Sequence, residues 1–177
     1  MIGFLRCLGV LNAGIWFGSA IFFSFVVAGG IFSDEMRKLL ENFYPYYSGA
    51  IAQMLIARYF KLQLVCGVIA LGHVLGENLY FGRSPRKIWL ALLAGIIGLS
   101  LLGGFWLQPK LKTLHTIKYS PKSSSEAREA ATESFKTWHG ISQMINLLVM
   151  VGLGVHLCRV AAREEDTRFV GGGKFRS

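Results

Sequence analysis

Residues 135–157 read FKTWHGISQMINLLVMVGLGVHL. A helix needs ~20 mostly apolar residues to cross a bilayer, and this run is long enough. Its first half nevertheless carries His139, Ser142, Gln143 and Asn146. At about 3.6 residues per turn these four form one stripe two turns deep. Leu147, Leu148, Val149 and Met150 then continue the helix without a polar side chain. Each unpaired polar group in hydrocarbon is costly, so the stripe is expected to turn away from lipid. It enters from one surface, stops near mid-membrane, and faces companion helices or a wet cavity. Two readings stand: an interhelical hydrogen-bond clamp, or the vestibule of a small-molecule or ion site.

Companion helices are present. Apolar stretches run from about Leu8 to Phe32, Tyr59 to Phe81 and Ile88 to Leu107, with the fourth from Trp138 to Val160. In lipid each must be helical, because no water satisfies its backbone groups. The expected fold is all-α, a four-helix transmembrane bundle over residues 1–163 with a disordered polar tail at 164–177. The first stretch far exceeds a signal-peptide core and reads as a retained helix. Asn12, Trp16 and Ser19 in the first span and Gln108 at the end of the third are candidate partners for the stripe.

Composition agrees. Of 177 residues, 53% are hydrophobic and only 16% charged, too few charges for an ordinary soluble domain. The net charge of +9 forms no single patch and no basic motif with interleaved aromatics, so nucleic acid is not an expected partner. The basic residues sit mostly outside the apolar runs, where they anchor helix ends at headgroups. Arg6, the Arg83/Arg86/Lys87 cluster and Arg159/Arg163 favour both termini in the cytoplasm of a bacterial inner membrane. Cys7, Cys66 and Cys158 lie in separate apolar segments and form no CxxC pair, which reads as packing rather than disulfide or zinc chemistry.

In the first connection, SDEMRKLLENFYPYY, Met36, Leu39, Leu40 and Phe43 fall on one helical face. A short amphipathic helix in the membrane interface is expected, N-capped by Ser33 and stopped by Pro45, with Tyr44, Tyr46 and Tyr47 at headgroup depth. Residues 49–57 make the second apolar region too long for one span. Arg58 and Lys61 are therefore expected at the membrane surface, with the preceding stretch interfacial or packed on neighbouring helices. GRSPRK forms a tight loop, and QPKLKTLHTIKYSPK reads as irregular. Ser123 and Glu126 provide a capping box that starts the fourth helix outside the membrane.

Two G-x-x-x-G pairs, Gly14/Gly18 and Gly72/Gly76, are expected to pack within the bundle. A second polar cluster joins His73 and Glu77, four residues apart, with His156 toward the same surface. It reads as a His–Glu pair at a partly wet helix end. The alternative is a haem- or metal-binding redox protein using His73, His156 or His139, although about 6 Å of axial offset separates His73 and His156. No cofactor is required by the sequence. No nucleophile–base arrangement, phosphate loop or carboxylate pair can be placed, so no catalytic residue is assigned and a non-enzymatic role is expected. No inverted repeat or broken helix indicates transport. Besides the lipid bilayer, the partners in view are a second copy of the chain or other membrane subunits, including a role as accessory subunit of a larger complex.

Three segments resemble the transmembrane protein 205-like family, known in bacteria as domain of unknown function 4149. They are GIWFGSAIFFSFVVAGGIF (Gly14–Phe32), FYPYY (Phe43–Tyr47) and FKTWHGISQMIN (Phe135–Asn146). The resemblance implies a multi-pass membrane protein and adds weight to His139, Ser142 and Asn146 as motif positions. The family often has proline after FVVA; here Gly29-Gly30 stands there, which implies a glycine hinge.

Overall fold

The computed structural model describes residues 2–81 and 87–162, and the described residues are all helical apart from short connections. Four helical rods are long and apolar enough to cross a membrane. The first joins α1 (Ile2–Ile21), a π-turn at Phe22–Val27 and α2 (Ala28–Ile31). After α3 (Asp34–Leu40) and a single tight turn comes α4 (Tyr44–Phe81), the second rod. The third joins α5 (Lys87–Leu102), a π-turn at Gly103–Leu107 and α6 (Gln108–Tyr119), and the fourth is α7 (Ser125–Ala162). The tail at 164–177 and most of GRSPRK lie outside the described residues.

Several local expectations change. Ser33 caps α3 as its sequence suggests, accepting a hydrogen bond from the Met36 amide at 3.2 Å. The stop comes at Glu41, whose φ of 45° breaks the helix. Pro45 instead opens α4, where its fixed φ suits a first turn and its missing N–H costs nothing. The segment QPKLKTLHTIKY is helical, not irregular, because the π-turn just before it absorbs the disruption at Pro109. The cap of α7 is Ser124, whose hydroxyl accepts from the Ala127 amide, one residue beyond the expected Ser123. Gly29-Gly30 lies inside α2, and the irregularity of the first rod falls on the π-turn before it.

The 38-residue α4 and α7 are each about 57 Å long at ~1.5 Å per residue, well beyond a ~30 Å hydrocarbon core. Their overhanging ends pack with α3 and α6 into a helical cap on the side of the first and third connections. Tryptophan and basic side chains mark two levels. Lys110 lies 3.7 Å over the Trp138 ring beside Trp106, and Arg159 lies 4.8 Å over Trp89. From Trp138 to Arg159 is about 31 Å at ~1.5 Å per residue, the spacing of two membrane surfaces.

The core gathers Trp16, Ala20, Tyr59, Cys66, Ala70, Leu93, Ile96, Val149 and Leu153 from all four rods. Glycines make its closest approaches, but not those of the two sequence pairs. A Cβ on Gly14, Gly18, Gly72 or Gly76 would meet nothing within 4 Å, whereas one on Gly152 would touch Ile96 at 3.0 Å. The G-x-x-x-G pairs therefore face outward: on both rods the inward arc is held by bulkier residues such as Trp16 and Val74. Gly14→Ala and Gly72→Ala are accordingly expected to change stability by less than about 0.5 kcal/mol, or to raise it through helix propensity, in reversible detergent unfolding.

Candidate functional site

The fourth rod carries its stripe into a cavity of about 190 Å³ enclosed by all four rods. His139, Ser142, Gln143 and Asn146 line one wall. Opposite them stand Phe23 and Ser24 from the first rod, Gln53, Tyr59 and Gln63 from α4, and Ser100, Gln108 and His115 from the third. Both π-turns border the space, with Ser24 inside one and Gly103 inside the other. A π-turn widens the helix by one residue and re-aims its side chains, so the two irregularities help open the room between rods.

The stripe divides into two parts. At its deep end Asn146 is a clamp: its amide donates to the Ser24 hydroxyl at 2.8 Å and its carbonyl accepts from the Tyr59 hydroxyl at 3.4 Å. One side chain thus ties the first, second and fourth rods together. Nearer the cap, Ser142 and Gln143 form no side-chain hydrogen bond with any other described residue, and His139 stacks on Phe135 at 5.6 Å. His139 and Gln143 are exposed at the cavity mouth. The partners expected from the first span are engaged elsewhere. Asn12 donates to the Cys66 carbonyl at 3.0 Å, the Trp16 indole donates to Gln63, and Ser19 bonds back to the Trp16 carbonyl. Gln108 shares the cavity but donates to the backbone carbonyl of Gln53.

Three unpartnered polar atoms belong to residues lining the same space. Gln53 Oε1, Gln63 Nε2 and His115 Nε2 are buried without a hydrogen bond, on side chains almost wholly removed from solvent; His73 Nε2 and His156 Nδ1, away from the cavity, are buried and unpartnered too. Native proteins leave few such atoms, because each costs about 1–3 kcal/mol.

Levels along the rods place the site. Gln53 sits beside Gln108, close to the Trp106 belt, and Tyr59 sits beside Asn146, about 12 Å inside Trp138 at ~1.5 Å per residue. Arg58 and Lys61 flank Tyr59 and both are exposed. Residues 49–57 are the cavity's upper wall, with Ala52 and Gln53 buried. In the FYPYY motif, Tyr44 donates to the Phe32 carbonyl at 3.4 Å, Tyr46 stacks on His115 at 5.7 Å, and Tyr47 meets Phe43 edge-on.

The second cluster is elsewhere. His73 Nε2 lies 4.0 Å from Glu77 Oε1, and His156 is buried on the fourth rod. His73 is closed off by the first rod: a Cβ on Gly9 would sit 2.5 Å from its Nε2. His156 lies edge-on to Trp16 at 6.2 Å. Among the described residues no three His, Cys, Asp or Glu side chains gather as a metal-binding group.

Sequence reasoning found the α7 stripe but missed Ser24, Gln53, Tyr59, Gln63 and His115. On α4, Gln53, Tyr59 and Gln63 stand six and four residues apart and do not repeat the close spacing that singled out α7.

An uncharacterized protein of Aquifex aeolicus (strain VF5) is 31% identical over 136 residues, covering 76% of this chain and 80% of that relative. No solved structure matches the chain. The family described as domain of unknown function (DUF4149) matches residues 11–120, which include every cavity wall except that of α7. With that much of its length matched, the chain belongs to this family.

Proposed function

We propose that this is a non-enzymatic, multi-pass membrane protein that binds a small molecule in the cavity between its four rods. One observation carries the reading: the polar stripe and three unpartnered buried polar groups, drawn from three rods, converge on one space. A structure built only for packing would close that space or pair those atoms. The cavity begins under the cap and ends near mid-membrane, which suits a pocket. With both termini in the cytoplasm, as the Arg6 and Arg83/Arg86/Lys87 pattern favours, the capped mouth faces the outer side of the inner membrane. The short α3, with Leu39 and Phe43 exposed beside it, then lies in the outer interface. The likeness to the transmembrane protein 205-like family rests on the three sequence segments and supplies no activity.

Native mass spectrometry of protein extracted in mild detergent tests the reading. The expected result is an adduct of defined small mass on the wild type, lost in Ser142→Trp, whose indole fills the cavity while the fold is retained. If the wild type carries no adduct and Ser142→Trp is at least as stable, the cavity is only a packing defect. Asn146→Leu separates clamp from site: it should cost about 1–2 kcal/mol in reversible unfolding by removing two interhelical bonds.

A further inference from the structure

We infer that the ligand is a neutral, membrane-dissolved amphiphile with a ring-sized polar head, admitted sideways between α4 and the third rod past Phe60. This rests on the binding reading above and narrows it to a ligand class and a route.

The class follows from the lining. Not one Asp, Glu, Lys or Arg borders the cavity, although many of its side chains are polar. A charged ligand would be buried there without a counter-ion, the most expensive arrangement for an ion in a low-dielectric site. A neutral one meets matched partners. Gln63 offers an unused amide N–H on a side chain 1% exposed, and Gln53 offers an unused carbonyl on one 8% exposed. The two lie ten residues apart, about 15 Å along α4 at ~1.5 Å per residue, so a ring-sized head meets one of them, and a head that donates is matched by Gln53. The rest of the wall is flat and apolar, with Phe23 stacked on Tyr59 at 4.5 Å, which suits an aromatic or unsaturated ring. The volume of about 190 Å³ holds such a head but not the chain of a lipid-soluble molecule, which must extend elsewhere.

The route follows from a second cavity of about 260 Å³ on the outer side of α4 and the third rod. The two spaces share Phe60, Gln63, Ser100 and Gln108, so they are neighbours across one wall. Phe60 is that wall. Its ring fits into the side-chain-free stretch at Gly103 and Gly104, where added Cβ atoms would come within 2.6 and 3.1 Å of it. Rotation of this single half-buried side chain joins the spaces; the outer one is edged by lipid-facing Leu64, Leu101 and Phe105 and carries one charged side chain, the exposed Lys61, which the inner cavity lacks. The head would then donate to Gln53 while the chain trails through the portal into hydrocarbon.

The test uses the full chain in lipid nanodiscs and three probes of equal tail: para-octylphenol, para-octylbenzenesulfonate and para-octylphenyltrimethylammonium. Affinities are expressed per mole of membrane-partitioned probe, with empty nanodiscs subtracted. The expected result is saturable binding of the phenol, at least about tenfold tighter than either permanently charged probe. Gln53→Met should weaken phenol binding about fivefold or more without lowering stability, since a merely structural unpaired amide would gain from the change. Phe60→Ala should raise the phenol association rate and Phe60→Trp should lower it. Equal binding of the sulfonate or the trimethylammonium probe overturns the neutral-ligand class and leaves the binding reading standing. Rates insensitive to residue 60 overturn the lateral route. Absence of saturable binding by any probe overturns this inference, and joined to the absence of a native adduct it overturns the binding reading too.

Discussion

Replacing Trp16 with alanine is expected to destabilise the protein by about 3–5 kcal/mol, the largest effect of any single truncation here. Trp16 has no exposed surface and stands where the first rod meets α4 and α7. Within a membrane, apolar burial alone gives helices no drive to associate, so close packing has to supply it. The indole fills the space beside Gly67, lies edge-on to His156 and donates its N–H to Gln63. Alanine would leave a void and strip Gln63 of its remaining partner. Trp16→Phe should recover most of the packing and lose only the bond, costing on the order of 1 kcal/mol. Trp106→Ala, at a residue 48% exposed, is the control and should change little. Reversible unfolding in mixed SDS micelles measures all three.

Gly49→Ala is expected to cost about 1–3 kcal/mol although it adds one methyl group. The new Cβ would overlap His115 Nε2. Tyr46 stacks on one face of the imidazole, and Tyr119 and Phe135 lie beside it. Relief therefore requires the ring to leave this aromatic cluster, off its packed rotamer. His115→Ala should also destabilise by itself, since it opens a void. In the double mutant the overlap disappears, so the two costs should fall short of their sum by about 1 kcal/mol or more. Strict additivity would mean that Gly49 and His115 do not meet.

The rods were legible because length and apolarity are properties of a segment, and a bilayer leaves a long apolar segment no choice but helix. What went unread depends on register between segments. Gly14/Gly18 and Gly72/Gly76 fit a packing motif yet face outward, while the close contacts fall to glycines opposite one particular bulky side chain: Gly9 at His73, Gly49 at His115, Gly103 at Phe60. No spacing within one helix announces such a pairing. The same holds for Ser24, which looks unremarkable in FFSFVV until α7 brings Asn146 against it. The stripe on α7 was readable because four polar residues on one face of an apolar helix violate the cost of polar groups in lipid. Its division into a clamped deep end and an unpartnered upper end needed the other three rods. At QPKLKTLHTIKY the proline argued against helix, and the π-turn that reconciles the two left no mark in composition.

The account depends on the upper stripe of α7 facing a polar interior while the residues beyond it face lipid. Spin labels at Ser142→Cys and Leu148→Cys, in protein with the three native cysteines replaced and reconstituted in bilayers, test this by relaxation with a water-soluble nickel chelate and with oxygen. The label at 142 should be shielded from oxygen and reached by the chelate, and the label at 148 should show the reverse. Oxygen-dominated relaxation at 142, equal to that at 148, would place the stripe in hydrocarbon and contradict an internal site.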